Sequence, residues 1–101
     1  MTAGSMPSWA QAHETSTANQ QLAVQTNKDG ITLARKGNYT LAIQKFRRAS
    51  ELWPQFPDSQ YNLGITLQKI GQLEQAINAF KVAVRLKPDS APAALLPYPK
   101  D

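Results

Sequence analysis

The sequence predicts an all-α protein made of two copies of one helix pair, and three observations carry that prediction. Residues 23–56 laid over residues 57–90 without a gap share 11 of 34 positions: Gly30-Ile31-Thr32-Leu33 recurs as Gly64-Ile65-Thr66-Leu67, followed by Gly37/Gly71, Ala42/Ala76, Ile43/Ile77, Phe46/Phe80, Ala49/Ala83, Leu52/Leu86 and Pro54/Pro88. Within each copy the apolar residues recur at spacings of three and four, the signature of helices with one buried face. Gly37/Gly71 and Pro54/Pro88 then punctuate those stretches where helices should stop. A period in the range of about 20–50 residues marks a stacked repeat, in which each unit buries its apolar face against its neighbour.

Residues 1–17 are rich in Ser, Thr, Ala and Gln with few apolar side chains, and read as a disordered tail or processing remnant. Ala10-Gln11-Ala12 has the small-x-small form of a signal-cleavage site, yet no apolar stretch precedes it. A chance match and the remnant of an export signal both fit. Trp9 is expected to rest on the first helix. From about Ala18 the chain turns helical, with Leu22, Thr26, Asp29, Gly30, Leu33 and Ala34 in phase and Gly37 supplying the left-handed residue just past the end. The second helix carries the clearest stripe, Tyr39, Ala42, Ile43, Phe46, Ala49 and Leu52, while Lys45, Arg47 and Arg48 fall off it and should be solvated. Pro54 and Pro57 end it, because proline cannot continue a helix interior.

The second copy repeats the plan. Pro57-Asp58-Ser59 opens the third helix, with Asp58 expected as its N-cap. Tyr61, Leu63, Gly64, Leu67, Gln68 and Ile70 follow, and Gly71 closes it. Leu73, Ala76, Ile77, Phe80, Ala83 and Val84 form the stripe of the fourth helix, ended by Lys87-Pro88. Connections this short force each pair into antiparallel contact. A third copy begins at Ala91 and aborts: residues 91–96 suit a short partial helix capped by Ser90, and Pro97-Tyr98-Pro99 starts a Pro-rich tail over residues 97–101. The repeat domain thus spans residues 18–96.

Composition excludes most chemistry. There is no cysteine and one histidine, His13, in the tail, so no metal-ligand cluster, cofactor motif or catalytic set is visible and no enzyme is expected. The seven carboxylates are scattered, and the hydroxyls have no base beside them. The net charge of +4 divides into six basic and two acidic residues in the first copy against four and three in the second. That is a mildly basic first repeat and no nucleic-acid footprint, since the aromatic in Lys45-Phe46-Arg47-Arg48 belongs to the core stripe. No apolar run approaches the roughly 18–20 residues that span a membrane. The compartment stays open: cytoplasmic by default, exported if Ala10-Gln11-Ala12 is a cleavage remnant.

The period and the residue types together resemble the tetratricopeptide repeat (TPR). Gln60-x2-Leu63-Gly64-x2-Leu67, Ala76-x3-Phe80 and Pro88 keep that family's spacing, and the first copy keeps Gly30, Leu33, Ala42, Phe46 and Pro54. The resemblance covers residues 23–90 and implies a TPR-type α-solenoid fragment. Thr26 and Gln60 stand where the family has an aromatic, and Asp29 where it has leucine. A buried unpaired carboxylate is costly, so Asp29 should sit near solvent. Gly30/Gly64 are expected where the two helices of a unit press closest, faced by Ala42/Ala76, with Phe46/Phe80 and Leu33/Leu67 to either side.

The resemblance also implies a function: a protein-interaction scaffold, with no enzymatic role, that takes a peptide or helix of a partner in the concave groove lined by the first helix of each unit. Family groove positions carried onto this chain give Asn27, Lys28, Ile31 and Arg35, then Tyr61, Asn62, Ile65, Gln68 and Lys69, with Val24, Ala34 and Asp58 beside them. Ile31 and Ile65 would be repeated apolar contacts, and Lys28, Arg35 and Lys69 would favour an acidic partner. Of the residues expected for the family's chaperone-type carboxylate clamp only Asn62 matches, so that subclass is not supported. The alternative is a homo-oligomer, or a fragment docking on further repeats of a longer protein, because Leu73, Ile77 and Val84 are exposed unless residues 91–96 cover them.

Overall fold

The computed structural model describes residues 15–87. They form four helices: α1 (Thr17–Arg35), α2 (Tyr39–Leu52), α3 (Pro57–Lys69) and α4 (Leu73–Leu86). The expectations for Trp9, His13, residues 91–96 and the Pro-rich tail lie outside the described residues.

Helix ends follow local chemistry. Ser16 caps α1, its hydroxyl accepting from the Asn19 amide at 3.1 Å. The α1 and α3 C-termini close alike. Gly37 and Gly71 take φ of 85° and 83°. The Gly37 amide donates to Ala34 O at 2.9 Å and the Asn38 amide to Leu33 O at 2.9 Å; Gly71 to Gln68 O at 3.0 Å and Gln72 to Leu67 O at 2.9 Å repeat the arrangement. Both are Schellman closures, which satisfy carbonyls that a helix end otherwise leaves bare. The Asp58 cap is corrected. Phe56 occupies the N-cap of α3 and Pro57 the first helical position, so Asp58 lies inside the first turn, where a negative charge suits the helix dipole.

Each helix pair is antiparallel: Ile31 near the end of α1 meets Ala42 early in α2 within one cluster, and Ala23 meets Ala49 and Leu52 in another. The larger cluster spans both copies, joining Ile31, Ala34, Ala42 and Phe46 to Leu63, Ile65, Leu67, Ala76 and Ala79. α3 is its centre. It packs on α2 and α4 and touches α1, and Asn62 through Leu67 are all buried, as in a helix covered on every side.

Gly30 and Gly64 are tightly packed, and what presses on them is phenylalanine. A Cβ built on Gly30 would stand 2.6 Å from the Phe46 ring, and one on Gly64 would stand 2.7 Å from Phe80. The aromatic lies flush on the bare backbone in both copies, so the expectation that Ala42 and Ala76 are the facing residues is corrected. The stripe predicted for α4 divides: Ala76 and Ala83, with Ala79 beside them, turn into the core, whereas Leu73, Ile77 and Val84 point outward, as expected for the end of the stack.

Seating of α3 on α2 is fixed by a hydroxyl pair. Ser50 Oγ and Ser59 Oγ are 2.6 Å apart, and Ser59 Oγ lies 3.1 Å from Phe56 O. Since a hydroxyl has one proton and the Phe56 carbonyl can only accept, Ser59 donates to that carbonyl and Ser50 donates to Ser59.

Candidate functional site

The first helices of the two units, α1 and α3, carry the residues singled out for partner contact, and the structure sorts them by access. Lys28, Arg35, Gln68 and Lys69 are exposed, and Tyr61 is half-buried. Asn27, Ile31, Asn62 and Ile65 are buried, Ile65 completely. The expectation that the two isoleucines present an apolar surface is therefore corrected: both belong to the shared core. The period places equivalent residues at equivalent points of a helix, but the buried sector is wider in α3 because α1, α2 and α4 surround it.

The two asparagines are brought together. Asn62 Nδ2 donates to Asn27 Oδ1 at 3.2 Å, bridging α1 and α3 across the repeat boundary. Asn27 Nδ2 is buried and has no hydrogen-bond partner, an arrangement that protein interiors generally avoid. Tyr61 stands edge-on to Phe80, with centroids 5.5 Å apart. Thr32 and Thr66, identical in the alignment of the copies, both donate to the carbonyl four residues back, to Lys28 O at 3.2 Å and Asn62 O at 2.8 Å.

The charge on this surface is positive but unevenly informative. Arg35 and Lys69 occupy the last turns of α1 and α3, where a cation stabilises the helix terminus whether or not anything binds. Lys28, mid-helix, has no such explanation. Asp29 is exposed as expected and accepts from Gln25 Nε2 at 3.1 Å.

Beside Lys28 lies a feature the sequence reading missed. An open cleft of about 420 Å3 is lined by Thr17, Gln20, Gln21, Val24, Gln25 and Lys28 of α1, and by Trp53 past the end of α2. Trp53 is half-buried and stacks on Phe56, with centroids 4.7 Å apart and planes 13° from parallel. The signal was present: Trp53 breaks the repeat, its counterpart being Lys87. A smaller cleft of about 220 Å3 lies where Arg47 reaches over from α2, its Nη2 donating to Gln75 Oε1 of α4 at 3.2 Å.

Among the described residues no group of three or more His, Cys, Asp or Glu could hold a metal ion, and no helix is long and apolar enough to cross a membrane. The groups the Trp53 cleft presents are amides, a cation and an aromatic.

Two family models match the chain: TPR repeat over residues 30–71 and tetratricopeptide repeat over residues 57–90. Among curated proteins it is 36% identical over 69 residues to the TPR repeat-containing thioredoxin TTL4 of Arabidopsis thaliana, covering 68% of this chain and 10% of that protein. It is 31% identical over 64 residues to Superkiller complex protein 3 of Mus musculus, covering 63% of this chain and 4% of that protein. The chain thus corresponds to a small part of either relative's length.

Proposed function

Because the chain belongs to the tetratricopeptide repeat family, whose repeats are generally protein–protein interaction modules, we propose that it is a scaffold or assembly module that receives an acidic peptide or helix of a partner protein along α1 and α3. The observation that carries the reading is Lys28, an exposed mid-helix cation at the mouth of the Gln20–Gln25–Trp53 cleft. Amides able to hold a peptide backbone, an aromatic flank and a cation stand there together, an ordinary set for recognising an extended or helical segment. Arg35 at the end of α1 and Gln68, Lys69 and half-buried Tyr61 of α3 are the further contacts in this reading. Asn27, Asn62, Ile31 and Ile65 act from beneath, by fixing the spacing of the two helices. The name of one relative, Superkiller complex protein 3, is that of a member of a complex, which accords with an assembly role.

The test uses a labelled Glu-rich helical peptide and its Gln-substituted counterpart, with binding followed by fluorescence anisotropy at several salt concentrations. Preference for the acidic peptide should fall with salt, and the triple variant Lys28→Gln, Arg35→Gln, Lys69→Gln should remove it at only a small cost in helical circular-dichroism signal, because no negative charge is placed at the ends of α1 and α3. Equal binding of both peptides, or no change in the triple variant, removes the reading. Alanine at Asn27 and Asn62 is the wrong probe, because those side chains are buried and their loss would act through stability.

A further inference from the structure

The outward face of α4 carries an apolar seam that the described chain leaves open. Leu73, Ile77, Phe80 and Val84 follow one another at spacings of four, three and four, the rhythm of a seam between two helices. Leu73, Ile77 and Val84 are 58%, 51% and 58% exposed. A shallow depression of about 540 Å3 runs over Ile77, Phe80 and Val84, flanked by Lys81 and Arg85. Isolated exposed apolar residues are ordinary, but a contiguous set in one register is the mark of a contact surface.

The first copy shows what such a face does. The equivalent residues of α2 are Tyr39, Ile43, Phe46 and Ser50, each buried or half-buried, and α3 is seated there through Ser50 and Ser59. In α4 two of the flanking details differ. Val84 replaces Ser50, so the hydroxyl that anchors an α3-like helix is gone. Glu74 and Lys81 replace Thr40 and Arg47, so opposite charges now border the seam seven residues apart. Both are exposed, and neither has a charged partner among the described residues.

We propose that this seam is an interface between two copies of the chain, formed by antiparallel pairing of α4 with α4 of a second copy about a two-fold axis. In that register Leu73 meets Val84 of the second copy and Ile77 meets its Phe80. Glu74 then lies beside Lys81 of the second copy, and the symmetry makes the pair twice. A parallel pairing would set Glu74 and Lys81 on opposite flanks of the seam, against Ala76 and Ala83 positions that carry no charge, so only the antiparallel form brings the opposite charges together. The face is separate from the α1 and α3 surface, so this inference stands or falls independently of the proposed peptide binding.

Light scattering on the full chain, 11.1 kDa as a monomer, should give a mass that rises toward twice that value as concentration approaches the millimolar range. Ile77→Glu should abolish the rise without loss of helicity, since the side chain is half exposed. Glu74→Lys and Lys81→Glu should each weaken association roughly five- to tenfold, because each turns two surface attractions into repulsions, and the double charge swap should restore it. A chain that stays monomeric throughout overturns the proposal, as does a swap that fails to restore a dimer lost in the single variants. Thiol labelling of a Val84→Cys variant, clean because the chain has no cysteine, identifies another occupant. Slow labelling of a monomeric sample would put the chain's own residues beyond Lys87 on the seam, again overturning pairing of copies.

Discussion

Phe46 lies directly over Gly30, so close that a Cβ added there would stand 2.6 Å from its ring, and Phe80 repeats the relationship over Gly64 at 2.7 Å. The distances match, yet the two rings differ in freedom: Phe46 is fully buried and Phe80 half-buried. Gly30→Ala and Gly64→Ala each gain about 1 kcal/mol in helix propensity and lose roughly 1–3 kcal/mol to overpacking. Phe80 can swing outward and relieve much of the clash; Phe46 cannot. Urea denaturation should therefore show Gly30→Ala destabilised by about 1–2 kcal/mol and Gly64→Ala close to wild type. Equal losses at both sites would mean the second ring is held as firmly as the first.

At the helix ends the glycines act through backbone conformation alone. Gly37 and Gly71 have positive φ, and nothing stands within 4 Å of a Cβ built on either. Alanine at each site should cost about 1 kcal/mol from the left-handed conformation. The two losses should add, because the sites are independent closures of different helices. A double variant measured by thermal or urea unfolding checks both the size and the additivity.

The fold was legible in this sequence because its determinants are local and repeated. The bare backbone at Gly30 and Gly64, the αL residues Gly37 and Gly71, and the proline stops can each be seen without knowing what they touch. The surface was less legible because access depends on neighbours that the period does not encode. Ile31 and Ile65 hold the same place in the repeat, and a groove position was assigned to both, but each is taken up by the core that joins the two copies, Ile65 in the buried middle of α3. The outward face of α4 was legible for the opposite reason: nothing in the repeat pattern follows to cover it, and Leu73, Ile77 and Val84, expected to be exposed unless residues 91–96 cover them, are exposed. Trp53 was missed because repeat matching discards what does not repeat.

The Ser50 and Ser59 hydroxyls should prove unequal although each takes part in the same 2.6 Å contact. Ser59 is fully buried and gives its proton to Phe56 O. Ser59→Ala removes that donor and the acceptor for Ser50 together, for a loss of about 1–3 kcal/mol. Ser50→Ala leaves the Ser59 to Phe56 bond intact, and the loss should be nearer 0.5–1 kcal/mol. Comparison of the two midpoints in urea tests this ranking; a larger loss at Ser50 would show that the Ser59 to Phe56 bond contributes little.

Asn27 and Asn62 should show the strongest coupling in the molecule. Asn62 Nδ2 has Asn27 Oδ1 as its acceptor, and the Asn27 amide nitrogen is buried without a partner. Asn27→Leu removes an orphaned donor but strips Asn62 of that acceptor; Asn62→Leu leaves both polar atoms of Asn27 buried and unmatched. Each single change should cost about 1–3 kcal/mol, with Asn62→Leu the larger. With both replaced, the α1–α3 junction becomes an apolar contact of similar volume. The double variant should then lie at least about 1 kcal/mol above the sum of the singles in a urea double-mutant cycle. Additive losses would show that the amides do not work as a pair. Since both side chains lie beneath the surface, the rescued double variant should also retain peptide binding in proportion to its folded fraction. A loss of binding in that folded variant would instead place the asparagines in direct contact with the partner.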